Sequence, residues 1–163
     1  MDETLRELFE HNWWANRRVV ATAAGLPSDA WQDGDTVAGV GLRATLVHTY
    51  RAEVIWRLRL TAQDPTEARK IAPEQFETVD NLANAWAEEE ETWRNWLEGL
   101  SPEGFEAIYE PPAPYKPKPI RPYLLHVVLH GAQHRAEAAL LLTEAGHSPG
   151  ELDFLEYMVA TNR

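Results

Sequence analysis

The chain has no cysteine among its 163 residues. Disulfides, thiolate metal ligands and a cysteine nucleophile are therefore excluded, and any thiol chemistry must draw its sulfur from another molecule. A long apolar run is also missing. The longest falls well short of the ~18 residues that mark a membrane span, so none is expected. Nor is there a basic surplus: 15 lysines and arginines face 26 acidic residues, for a net charge of -11. Such a chain repels phosphate backbones and anionic lipid unless its basic residues cluster, and here they are scattered. Even the segment Lys116 to Arg121 interleaves its basic residues with prolines. Nucleic-acid and membrane partners are disfavoured. The start, Met1-Asp2-Glu3-Thr4, is acidic and runs straight into helical periodicity, whereas a secretory leader begins basic and continues apolar. The expected location is the cytoplasm.

What is present is core material, with 44% hydrophobic residues and seven tryptophans. The length suits one soluble domain over residues 1–163, because halves of it would be small for independent cores. Apolar residues at steps of three and four predict an all-α protein with helices over about 3–25, 42–62, 78–100 and 120–145, and a short C-terminal helix over 153–160. Leu5, Leu8, Phe9, Trp13, Val19 and Val20 mark the first helix, which Gly25-Leu26-Pro27 stops. Residues 28 to 41 read as a loop with a turn near Asp33-Gly34-Asp35, and 64 to 77 as a polar connection. The glutamates Glu88 to Glu91 read as a solvated face of the third helix. From Phe105 to Pro122 the chain carries six of its eleven prolines, which forbids an interior helix and predicts extended chain or an edge hairpin before the fourth helix. No internal repeat is visible. Four helices with one long connection describe a four-helix bundle, whose core can carry metal ligands from facing helices.

The histidines carry the chemistry. In Leu129-His130-Gly131-Ala132-Gln133-His134-Arg135, a step of four turns the helix by only ~40°, so His130 and His134 share a face one turn apart with room for an ion between them. Val127, Ala138 and Leu141 lie on that face, so both rings are expected to look into the bundle. Such pairs also occur on exposed helix surfaces and as hydrogen-bonded core residues, and a third ligand is needed. His48, in the second helix, has Ala52, Ile55 and Trp56 on its face and is expected to point inward too. Three histidines can then converge; the alternative for His48 is a lone core histidine bonded to an oxygen. A zincin protease needs Glu after the first histidine of the pair, where this chain has Gly131. A di-iron bundle needs two Glu-x-x-His units, and Glu144 to His147 straddles a helix-ending glycine. One mononuclear site fits better.

The chain resembles the DinB and YfiT-like proteins, bacterial four-helix bundles with a three-histidine metal site. Asn12-Trp13-Trp14-Ala15-Asn16 resembles the family's Asn-x-Trp-Ala-Asn phrase, and Leu46-Val47-His48 with Ala52-Glu53 and Trp56 its second-helix ligand segment. His126, His130 and His134-Arg135 form the strongest part, and Gly146-His147-Ser148-Pro149 with Leu152-Asp153-Phe154 resembles the family's ending. The resemblance implies His48, His130 and His134 as metal ligands and places His126 beside them or at the pocket rim. Where the family often has His-Arg-Gly-Gln, this chain has His134-Arg135-Ala136-Glu137. Glu137 then either orients a ligand, adds negative charge near the ion, or serves the surface. Asn16 interrupts an apolar stripe and, if buried, must be hydrogen-bonded; its expected role is structural, with pocket lining as the alternative.

Three neutral imidazoles leave at least one coordination position open, as in reactive sites. A cation there makes a water or thiol easier to deprotonate. The resemblance implies thiol-dependent chemistry: transfer of a small thiol of the bacillithiol or mycothiol type to an electrophilic small molecule in stress or detoxification. The alternatives are a non-catalytic metal-binding or sensing bundle and a metal-dependent hydrolase or isomerase. Imidazole ligation does not choose among zinc, nickel, iron and manganese. The apolar excess on the long helices and the family habit suggest a homodimer.

Overall fold

In α1 (Glu3–Ala24) the buried residues Leu5, Phe9, Asn12, Trp13, Asn16, Val19, Val20 and Ala23 are linked by steps of three and four, the pattern of a helix with one buried face. The structure is a computed structural model describing residues 3–31 and 40–162. Where a loop is expected after α1, a single helical turn, α2 (Ser28–Trp31), forms instead. Its anchor is the buried Trp31, whose Nε1 donates to the carbonyl of Phe76 at 3.0 Å. The turn expected at Asp33-Gly34-Asp35 lies outside the described residues.

The second long helix, α3 (Leu42–Leu60), ends before Asp64-Pro65, as proline requires. The polar connection that follows contains two short 3-10 turns, at Ala68–Lys70 and Pro73–Gln75. Next, α4 (Val79–Glu98) opens with a reciprocal cap: Thr78 Oγ1 accepts from the Asn81 amide and Asn81 Oδ1 from the Thr78 amide. Its four glutamates are not simply solvated. Glu89 is buried and takes two hydrogen bonds from Arg57, at 2.6 and 2.8 Å, while Glu90 receives Arg17 and Arg94. Arginines on neighbouring helices turn an acidic run into interhelical ties. Burial raises the pKa of Glu89, against the lowering by the Arg57 hydrogen bond.

After the short helix α5 (Pro102–Phe105), the proline-rich segment makes the expected hairpin. β1 (Ile108–Tyr109) pairs antiparallel with β2 (Lys118–Pro119), Ile108 opposite Pro119 and Tyr109 opposite Lys118. Proline is tolerated at the start of α6 (Ile120–Glu144), which is closed by Gly146 at φ 83°. Finally, α7 (Phe154–Thr161) is capped by the Asp153 side chain, which accepts from the Glu156 amide at 2.8 Å. No helix among the described residues is long and apolar enough to cross a membrane.

The four long helices form a ring in which α1 and α3 each touch both α4 and α6. Two apolar clusters fill it. One gathers Val19, Leu46, Leu82, Trp86 and Leu142, the other Phe9, Trp93, Leu97, Leu124 and Val127. Between them runs a polar layer of Asn12, Asn16, Glu53 and Arg135, all buried. His48 on α3 and His130 and His134 on α6 flank this layer in sequence, so the site sits where the apolar core is interrupted.

Candidate metal centre

His48, His130 and His134 come together in the groove between α3 and α6. The ring of His134 stands 4.5 Å from those of His48 and His130, which are 5.2 Å apart. One nitrogen of each ring lies within 4.8 Å of the others. Nitrogens sharing one ion at about 2.1 Å stand no more than about 4.2 Å apart, so small side-chain rotations close the set. The direction of the rings differs from the inward one expected. All three are half-buried, because the core stripe of α3 runs through Leu42, Leu46, Thr49 and Glu53, and that of α6 through Val127, Gly131, Arg135 and Ala138. The histidines occupy the flank of each helix, partly open to solvent.

Partial burial sets their charge. It holds the His48 pKa below its ordinary value, with repulsion from His134 and Arg51 adding to the effect. For His130, burial and then the neighbouring histidines bring the pKa down to about 4. At neutral pH these two rings are uncharged and offer lone pairs, which metal binding requires. Glu137 completes the arrangement: its Oε2 is 2.6 Å from Nδ1 of His134. That carboxylate fixes which nitrogen carries the proton and leaves Nε2 as the donor for a cation. A hydrogen bond to His134 lowers the Glu137 pKa. The donor set, three imidazoles with an oriented ring, fits one divalent ion.

The remaining candidates separate. His126 is exposed, its ring 5.5 Å from that of His130 and edge-on to Trp56 at 5.1 Å, so it belongs to the rim. Asn16 is buried and bonded, as a stripe-breaking amide must be. Its Nδ2 donates to Glu53 Oε1 at 3.0 Å and its Oδ1 accepts from Arg135 Nη1 at 2.8 Å. It also borders a shallow cavity between α1 and α4, away from the histidines.

The sequence reading assigns no role to Glu53, Arg135 or Asn12, which complete this layer. Asn12 repeats the Asn16 pattern, donating to Glu53 Oε1 at 2.9 Å and accepting from Arg135 Nη1 at 2.5 Å. Trp86 Nε1 donates to Glu53 Oε2 at 2.7 Å. Two amides thus bridge a buried carboxylate and a buried guanidinium, joining all four long helices. Burial pulls the Arg135 pKa down to about 10, opposed by the charge of Glu53. Arg135 follows His134 directly, and Glu53 lies five residues after His48, so the network holds the rotation of both histidine-bearing helices. The missed signal was charge on a buried stripe. Glu53 falls in register with Leu42, Leu46 and Thr49, and Arg135 with Gly131, Ala138 and Leu142.

Comparison with known proteins agrees with this architecture. The profile of the DinB family matches residues 1–163, and the chain belongs to that family. Protein DinB of Bacillus subtilis (strain 168) is 21% identical over 169 residues, spanning 99% of this chain and 97% of that protein.

Proposed function

We propose that this DinB-family chain is a metal-dependent S-transferase that joins a low-molecular-weight thiol, of the bacillithiol or mycothiol type, to an electrophilic small molecule in stress or detoxification. The observation that carries the reading is a cluster of three half-buried imidazoles, two of which, His48 and His134, line a cavity of about 570 Å³, a donor set with room for a reactant next to it. His48, His130 and His134 would hold one divalent ion. When bound, it supplies the Lewis acidity that makes an external thiol a nucleophile near neutral pH. Because the chain has no cysteine, the sulfur comes from the co-substrate. The sulfur forms the new S–C bond as the electrophile's leaving group departs, and the thiol proton passes to a base. His126 is suited to that step: partial desolvation by its neighbours holds its pKa below the ordinary value, so it is a neutral imidazole at the rim. Glu137 keeps His134 oriented throughout.

The test is conjugation of a reporter electrophile such as monochlorobimane by protein loaded in turn with zinc, nickel, iron and manganese, with bacillithiol, mycothiol or coenzyme A as thiol. Conjugation above the metal-free and His48→Ala controls is expected. Tight metal without turnover for any thiol would replace this reading with a sensing or sequestering bundle. Turnover with no thiol added would replace it with a hydrolase or isomerase.

A further inference from the structure

The cavity beside the histidines has a composition of its own. Its walls are Ala44 and Val47 of α3, Pro73 of the connection, and Leu140 and Leu141 of α6, with Val40 at one edge. Leu140 remains 58% exposed, so part of this apolar wall faces open space. His48 and His134 line the same cavity, which therefore opens directly on the metal site. The volume is in the range that takes small organic ligands.

Two charged groups reach this space. Glu137, on the α6 wall, is engaged by His134. Arg51, on the α3 wall, is different. Its Nη1 donates to the carbonyl of Ile71 at 3.0 Å, its Nη2 makes a long contact of 3.4 Å with Nδ1 of His48, and no carboxylate among the described residues pairs with it. Most other arginines of this acidic chain do have carboxylate partners: Arg17 with Glu90, Arg57 with Glu89, Arg94 with Glu10. A guanidinium has five N–H donors, and two contacts leave the rest for a ligand. Metal binding adds to this. Once His48 ligates a cation, its Nδ1 either gives its lone pair to the ion or carries the ring proton, so that acceptor is lost to Arg51 and another donor is released.

We propose that this cavity binds a small organic anion with an apolar body, an alkyl or aryl carboxylate, the body lying against Ala44, Val47 and Leu140 and the anionic group on Arg51. An electrophile bearing an acid group is then the preferred second substrate. That last step rests on the transferase reading above, whereas the binding itself does not.

The experiment uses the metal-free protein and calorimetric titration with three probes of equal chain length: octanoate, octanol and octylamine. Octanoate is expected to bind saturably and at least about tenfold tighter than octanol, the discrimination that one charge-assisted contact supports, with octylamine weakest. Arg51→Gln is expected to erase the preference for octanoate over octanol. Leu140→Trp and Ala44→Phe, which fill the space, are expected to weaken octanoate and octanol alike. Helical content by circular dichroism would verify that each variant is folded. Equal binding of octanoate and octanol, preference for octylamine, no saturable binding, or an unchanged preference in Arg51→Gln would each overturn the proposal. No thiol, metal or turnover enters the measurement, so failure of the transferase assay and failure of this binding are separate results.

Discussion

Oε2 of Glu137 lies 2.6 Å from Nδ1 of His134, one helical turn away on the same helix. The contact ties the position where this chain departs from its family's phrase to one of the three clustered histidines. Removing such a partner typically lowers metal affinity about 10–100-fold. Glu137→Ala is expected to weaken zinc binding by that order in a competition titration. Glu137 is 48% exposed, so unfolding by urea should change little. Undiminished zinc affinity would mean that the carboxylate serves the surface.

The buried layer makes a different prediction. Breaking a buried charge pair by removing one partner costs about 3–5 kcal/mol, mainly because the other charge is left uncompensated. Glu53→Ala and Arg135→Ala are each expected in that range by urea denaturation, with Glu53→Gln milder. The double variant should cost less than the sum by at least about 1 kcal/mol, the signature of coupled residues. Strict additivity would show that the two charges act independently despite the bridging amides.

This layer also marks where sequence reasoning stops. The four helices are legible because apolar residues at Leu5, Phe9, Trp13 or Leu82, Trp86, Trp93 repeat at helical steps, and the proline cluster announces the hairpin. His130 and His134 are legible because a spacing of four has one geometric meaning on a helix. Periodicity alone, however, takes hydrophobic residues as the mark of the core, so Glu53, Glu89 and Arg135 look like solvent-facing residues until a partner on another helix is known. The same limit explains the histidines' half-exposed flank position: spacing says that they share a face, and only packing says how far that face is from the core.

Gly131 stands between His130 and His134 for a reason visible only in three dimensions. A Cβ there would lie 2.6 Å from Asn12 Oδ1 and 2.7 Å from Arg135 Nη1. Alanine normally stabilises a helix interior by about 1 kcal/mol over glycine. Here that gain is opposed by displacement of buried hydrogen-bonding groups, at about 1–3 kcal/mol for each one left unsatisfied, with two bonds of Arg135 at stake. Gly131→Ala is therefore expected to lower the urea midpoint. A higher midpoint would mean that Arg135 moves aside at no cost.

Acid should destabilise the metal-free protein through its histidines. His130 has a folded pKa of about 4 against an ordinary 6.5, with burial as the leading cause. Between these values the unfolded chain binds more protons than the folded one, so stability falls as pH falls, and above 6.5 this contribution is constant. His48 and His11 are lowered for the same leading reason and act in the same direction. Glu137, lowered below 4.5, adds its loss only in more acid solution. The thermal midpoint of metal-free protein is thus expected to be level from about pH 8 to 6.5 and to decline towards about pH 4, with a shallower decline in His130→Gln. Zinc should raise the midpoint more at pH 7 than at pH 5, because protons compete for the same nitrogens. An identical slope in His130→Gln would place the acid sensitivity elsewhere.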